Sequence, residues 1–160
     1  MPSDLTHYEL PKFLSNEVKQ ELLDIGMNLK DEDWTVHKST RTGIPSVLNF
    51  YDLKRTFHGR NCYLVMIRPN AVQDWHTDGG QRNTALIYPL TEDYAPCKFQ
   101  PGETTSPMFL NTQSRHAVFN NNNKRINLNI SFEDDIEDCI QFYKCLKFFK
   151  GNNAYEFDPS

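Results

Sequence analysis

The chain has 160 residues, of which 38% are hydrophobic, 12% aromatic and 24% charged, with a formal net charge of −4. This is the composition of one globular domain spanning residues 1–160, and it argues against a disordered or fibrous chain. The longest apolar runs, such as CYLVMI at 62–67, fall far short of the ~20 residues that cross a membrane, and without a charged-then-apolar opening segment a cytoplasmic location is expected.

Ser15 precedes NEVKQELLDIGMNL, where Leu14, Val18, Leu22, Ile25 and Leu29 recur at helical steps. This predicts a first helix over 16–29 with Ser15 as its N-cap. Charge is uneven along the chain. Residues 1–36 carry three Lys against eight acids, whereas residues 37–70 carry Lys38, Arg41, Lys54, Arg55, Arg60 and Arg68 against one acid. The overall acidity argues against general nucleic-acid binding, and the basic stretch is a local exception.

From 60 to 132 the apolar runs are short and β-like: NCYLVMIR, TALIYPL, MFL, HAVFN and RINLNISF, separated by Gly, Pro and Asn clusters. They predict an all-β sandwich or barrel rather than alternating βαβ units. In EDDIEDCIQFYKCLKFFKG, residues 133–151, acids come first, Lys144, Lys147 and Lys150 late, and Gly151 last. That order predicts a second helix with a glycine C-cap. The four cysteines, Cys62, Cys97, Cys139 and Cys145, show no Cys-x-x-Cys spacing, so buried thiols are expected rather than a zinc ribbon or a redox pair.

The chemistry concentrates in WHTDGGQRNTALIYPL, from Trp75 to Leu90. On an extended strand His76 and Asp78 share a face, and Gly79 and Gly80 let the chain turn just beyond them. If residues 116–129 form a hairpin closing about Asn121 and Asn122, His116 lies opposite Asn127 and Arg125 opposite Val118. His116, Arg125 and Asn127 then share one face. Two imidazoles and a carboxylate with open positions beside them suit a non-haem Fe(II) that must bind oxygen and a co-substrate, although zinc accepts the same ligands. Arg125 favours iron, because a guanidinium grips a carboxylate bidentately and a diacid co-substrate needs its far end held.

With His76-Thr-Asp78, a distal His116 and Arg125-Ile-Asn-Leu-Asn-Ile-Ser, the sequence resembles the 2-oxoglutarate and Fe(II)-dependent oxygenases over roughly residues 60–132. The resemblance implies a mainly β fold: a double-stranded β-helix (jelly-roll, cupin-like) core with flanking N-terminal and C-terminal helices. It implies Fe(II) held by His76, Asp78 and His116, and 2-oxoglutarate held by Arg125. O2 would oxidise 2-oxoglutarate to succinate and carbon dioxide while a substrate is hydroxylated. The carboxylate ligand Asp78 argues against halogenation, since family halogenases put a small residue there. A further co-substrate contact stays open among Asn127, Tyr63 and Thr84, with Asn127 first on the hairpin geometry.

Only 37 residues separate Asp78 from His116, which leaves little room for a lid between the ligands and points to residues 31–60 as the substrate-facing loop. The substrate, a small molecule or a side chain of another protein, is not named by the sequence. The basic stretch within 37–70 would favour an anionic one. Arg82 and Arg115 read as structural or substrate-side, and Trp75 as a barrel-packing aromatic. Two other readings use the same residues: a catalytically silent jelly-roll module that binds a metal or ligand, and a cupin-type metalloenzyme without 2-oxoglutarate. The complete triad argues against the first and Arg125 against the second.

Overall fold

The computed structural model describes residues 4–38, 45–78, 82–146 and 158–159. In chain order its main elements are β1 (His7–Glu9), α1 (Asn16–Asn28), β2 (Thr35–Lys38), β3 (Pro45–Phe57), β4 (Arg60–Ile67), β5 (Val72–His76) and β6 (Thr84–Pro89). They continue with β7 (Cys97–Phe99), β8 (Gly102–Thr104), β9 (Met108–Asn111), β10 (His116–Phe119), β11 (Arg125–Phe132), α2 (Ile136–Leu146) and β12 (Asp158–Pro159). One sheet runs β1-β9-β6-β11-β4-β3-β12 with β2 also pairing β3, and the other runs β5-β10-β7-β8. From β4 to β11 the chain passes back and forth between two facing antiparallel sheets, which is jelly-roll connectivity.

The alternation in RINLNISF sets the two faces of the large sheet. Ile126, Leu128, Ile130 and Phe132 join Leu64, Met66, Leu86 and Tyr88 in the main core, together with Leu22 of α1 and Ile136, Cys139, Ile140 and Tyr143 of α2. Both helices therefore pack on the outer face. Arg125, Asn127, Asn129 and Ser131 point the other way, toward the small sheet. The interior between the sheets is apolar in two places: Cys97, Phe99, Met108 and Leu110 with Ile87, and Ile67, Ala95 and Val118 with Leu48 and Ala71. Helix α1 begins where its sequence predicts, with Ser15 Oγ accepting from the Val18 N–H at 3.1 Å. Gly26 lets it approach the sheet, since a Cβ there would meet Ile126 Cδ1 at 3.2 Å and Leu64 Cδ1 at 3.4 Å.

Three expectations are corrected. The segment 116–129 is not a hairpin: β10 pairs β5 and β7, whereas β11 pairs β4 and β6 in the opposite sheet. The asparagine run carries the chain across. Asn120 Nδ2 donates to the carbonyls of Ile67, Arg68 and Asn123 at 3.1, 2.9 and 2.9 Å, and Asn121 Nδ2 donates to Asp93 O at 2.7 Å. The described residues within 31–60 are not a loop. Beyond a short 3-10 turn they supply β2 and the 13-residue β3, whose residues 48–52 and 56–57 pair β4. Strand β5 ends at His76, so Asp78 lies in irregular backbone, tied by its N–H to Thr112 O at 2.8 Å. The turn at Gly79 and Gly80 and the cap at Gly151 lie outside the described residues.

Candidate metal centre

The small sheet presents both imidazoles. His116 on β10 is the register partner of His76 on β5, so the two rings face the same side, with centroids 4.3 Å apart. The irregular backbone after β5 turns Asp78 back toward them. Asp78 Oδ1 lies 3.3 Å from His76 Nε2 and 3.4 Å from His116 Nε2. Ligand atoms from the three residues all fall within 4.8 Å of one another.

The donor chemistry fits a cation. His76 Nδ1 lies 2.6 Å from Asp74 O and His116 Nδ1 lies 2.7 Å from Ser114 O. A carbonyl oxygen only accepts, so each Nδ1 carries the hydrogen and each neutral ring turns the lone pair of Nε2 toward Asp78. His76 Nε2 is buried without a hydrogen-bond partner among the described residues. Three acceptors facing one another around an unsatisfied atom are what a metal site requires. Metal and proton compete here. The Asp78 carboxylate pushes the His76 imidazole above its ordinary value, against the opposing effect of burial. Burial alone would raise the Asp78 carboxyl, but His116, His76 and Arg82 outweigh it and hold it well below the usual carboxylate range.

The large sheet presents the second part of the site from across the interior. Arg125 is 5% exposed and, among the described residues, has no carboxylate partner. Its Nε donates to Ala95 O at 2.9 Å, and its guanidinium carbon sits 3.9 Å above the Tyr94 ring. Asn127 Oδ1 accepts from Tyr94 Oη at 3.2 Å and from Arg125 at 3.5 Å. Burial raises the Tyr94 phenol to about 12 although Arg125 opposes it, so the hydroxyl stays a donor at neutral pH. Arg82, which grips Asp78 and donates to Ser131 Oγ on β11, joins the two parts across the interior.

The remaining candidates separate cleanly. Tyr63 shares the inner face, as the register partner of Asn129, and its ring meets Phe50 edge-on at 6.1 Å, but it is not bonded to Arg125 or Asn127. Thr84 is a correction. It pairs Phe132, whose side chain joins the outer core, is fully buried, and donates to Asp134 O at 2.7 Å ahead of α2. It therefore does not face the interior. Arg82 grips Asp78 Oδ2 and donates to Ser131 Oγ at 3.2 Å. Arg115 is exposed and Trp75 is half-buried beside His76. The basic stretch is locally compensated: Lys54 pairs Asp52, Arg55 pairs Glu21, Arg60 pairs Asp134 and Arg68 pairs Asp31.

Sequence reasoning missed Tyr94 and Ser131. No spacing rule links Tyr94 to Arg125, which is 31 residues on; only the need of a buried guanidinium for a π face connects them. Asn129 Oδ1 is buried without a partner, on the inner face between Asn127 and Ser131.

No family model and no curated protein sequence matches the chain. Solved structures do. A Pseudomonas putida prolyl-4-hydroxylase superposes with a TM-score of 0.59 at 14% identity, covering 81% of this chain and 92% of its own. The viral collagen prolyl hydroxylase of Paramecium Bursaria Chlorella virus-1, solved as a 2-oxoglutarate complex, gives a TM-score of 0.50 at 14% identity, covering 80% and 96%. At this identity the likeness speaks to the fold: the chain has the jelly roll of the prolyl hydroxylases, as its resemblance to the 2-oxoglutarate and Fe(II)-dependent oxygenases implied.

Proposed function

We propose that the protein is a non-haem Fe(II) oxygenase that couples oxidative decarboxylation of 2-oxoglutarate to hydroxylation of a small-molecule or side-chain substrate. The observation that carries this reading is Arg125, a buried guanidinium without a carboxylate partner among the described residues, on the inner face opposite the sheet of a His-Asp-His cluster. An unpaired buried cation is costly, and a diacid's far carboxylate is the group that would relieve it.

His76 Nε2, His116 Nε2 and Asp78 Oδ1 would hold the iron, which when bound supplies the activation of O2. Arg125 and the Tyr94 hydroxyl would hold the distal carboxylate, with Asn127 fixing both donors through Oδ1. Ile67, Ala95 and Val118 wall this end with apolar surface, excluding water and strengthening the ion pair. A cupin-type enzyme using the metal alone would have no use for that guanidinium. The experiment is anaerobic addition of Fe(II) and then 2-oxoglutarate, followed by release of succinate in air. A weak visible charge-transfer band that depends on both additions is expected, and it should vanish in His116→Ala. Metal binding with no band and no succinate would leave the cupin reading; no metal binding would leave the silent module.

A further inference from the structure

We propose that Arg82 is the positioning residue that restricts Asp78 to a single metal-binding oxygen and so keeps the remaining coordination positions free for co-substrate. This rests on the metal-site reading above. A carboxylate can approach a cation through one oxygen or both. Here the two oxygens are already divided. Oδ1 faces both imidazoles, at 3.3 and 3.4 Å, while Oδ2 is taken by a terminal nitrogen of Arg82.

Arg82 is itself fixed at three points. Its other terminal nitrogen donates to Ser131 Oγ at 3.2 Å, its carbonyl accepts from Thr112 Oγ1 at 2.7 Å, and Gln113 Nε2 reaches the same carbonyl at 3.4 Å. Thr112 is fully buried, and its own carbonyl accepts from the Asp78 N–H. The guanidinium therefore spans from the backbone after β5 to the inner face of β11. Its planar fork holds two acceptors in fixed directions, which a free carboxylate in irregular backbone would otherwise lack. With Arg82 gone, Oδ2 is free to swing toward the cation, and a position needed by a chelating co-substrate is lost.

The test uses the full chain, with Fe(II) and then 2-oxoglutarate added under anaerobic conditions. Arg82→Met keeps the apolar stem and removes every donor. It should still bind Fe(II), while the affinity of the iron-loaded protein for 2-oxoglutarate falls by about 10- to 100-fold and the visible band shifts. Arg82→Lys, which can still donate to Oδ2, should recover most of that affinity. Thr112→Val cuts the tether to the Arg82 carbonyl without touching the guanidinium, and should lower the melting temperature while leaving co-substrate affinity near that of the parent. Wild-type binding of iron and co-substrate with an unaffected Arg82→Met would overturn this inference alone. So would an Arg82→Lys protein as impaired as Arg82→Met, because a donor to Oδ2 would then make no difference. A wild-type protein that binds no Fe(II) would instead overturn the proposed function.

Discussion

Arg125 concentrates the chemistry of the second half of the site in one residue. Its charge is stacked on Tyr94 and bonded to a backbone carbonyl and to Asn127, three neutral partners that orient it without neutralising it. Arg125→Ala should leave Fe(II) binding intact and weaken 2-oxoglutarate by about 2–4 kcal/mol, roughly thirty- to a thousand-fold, as read by anaerobic titration of the visible band. Tyr94→Phe removes one donor and should weaken it by about 1 kcal/mol. Asn129 makes the opposite case. Its buried Oδ1 has no hydrogen-bond partner among the described residues, and an unmet buried acceptor costs stability, so Asn129→Leu should melt at the parent's temperature or a few degrees above it; a large fall in thermal melting would show a structural role. The thiols are chemically quiet. Burial pushes Cys62 up to about 12, and Cys97 and Cys139 up to about 11. An acid whose folded value is raised stays neutral in the native state while the unfolded chain ionises near 9. The stability it contributes is therefore complete below about pH 9 and is lost as pH rises toward the folded values. Iodoacetamide at pH 8 should modify none of these three until the protein is unfolded, as peptide mass mapping would show.

Among the elements, the contact between α1 and β11 and the asparagine crossover are the points where single substitutions should tell most. Gly26→Val would drive two methyl groups into Ile126 and Leu64, already within 3.4 Å of a bare Cβ. Overpacking should cost about 1–3 kcal/mol in urea unfolding. Asn120→Asp keeps the shape but replaces the two N–H donors shared among three carbonyl oxygens with a carboxylate facing them. A loss of about 1–3 kcal/mol is expected by the same measurement, and an unchanged midpoint would mean that the crossover does not depend on the amide. Element boundaries were largely legible where one face is buried and one periodicity dominates. RINLNISF coincides with β11, and NEVKQELLDIGMNL extends one residue beyond α1. They were not legible in residues 45–57, where PSVLNFYDLKRTF is too polar to read as a strand and is held in one by pairing with β4 on one side and with β2 and β12 on the other.

For the whole molecule, the candidate site is shared between the two sheets. The imidazoles come from the small sheet and Arg125 and Asn127 from the large one, with Asp78 linked to β11 through Arg82 and Ser131. Ligands bound at this seam stabilise the native state alone. Fe(II) with 2-oxoglutarate at about a hundred times its dissociation constant should add about 2.7 kcal/mol and raise the melting temperature by about 5–10 °C, a shift that His116→Ala should abolish. By itself the sequence determined the ligand types and their spacing, the two helices and the β character of the middle of the chain, because these depend on residue identity and local periodicity. The tertiary structure decided which strands pair. A hairpin drawn from local symmetry put His116 and Arg125 on one face of one sheet, whereas they face each other from opposite sheets across the interior. Both arrangements bring the residues together, but only the second places them on facing sheets. It arises because Asn120 bonds the carbonyls of the distant Ile67 and Arg68, a contact no local pattern encodes. The same holds for Thr84, which packing turned outward, and for Tyr94 and Arg82, whose partners are fixed only when the sheets close.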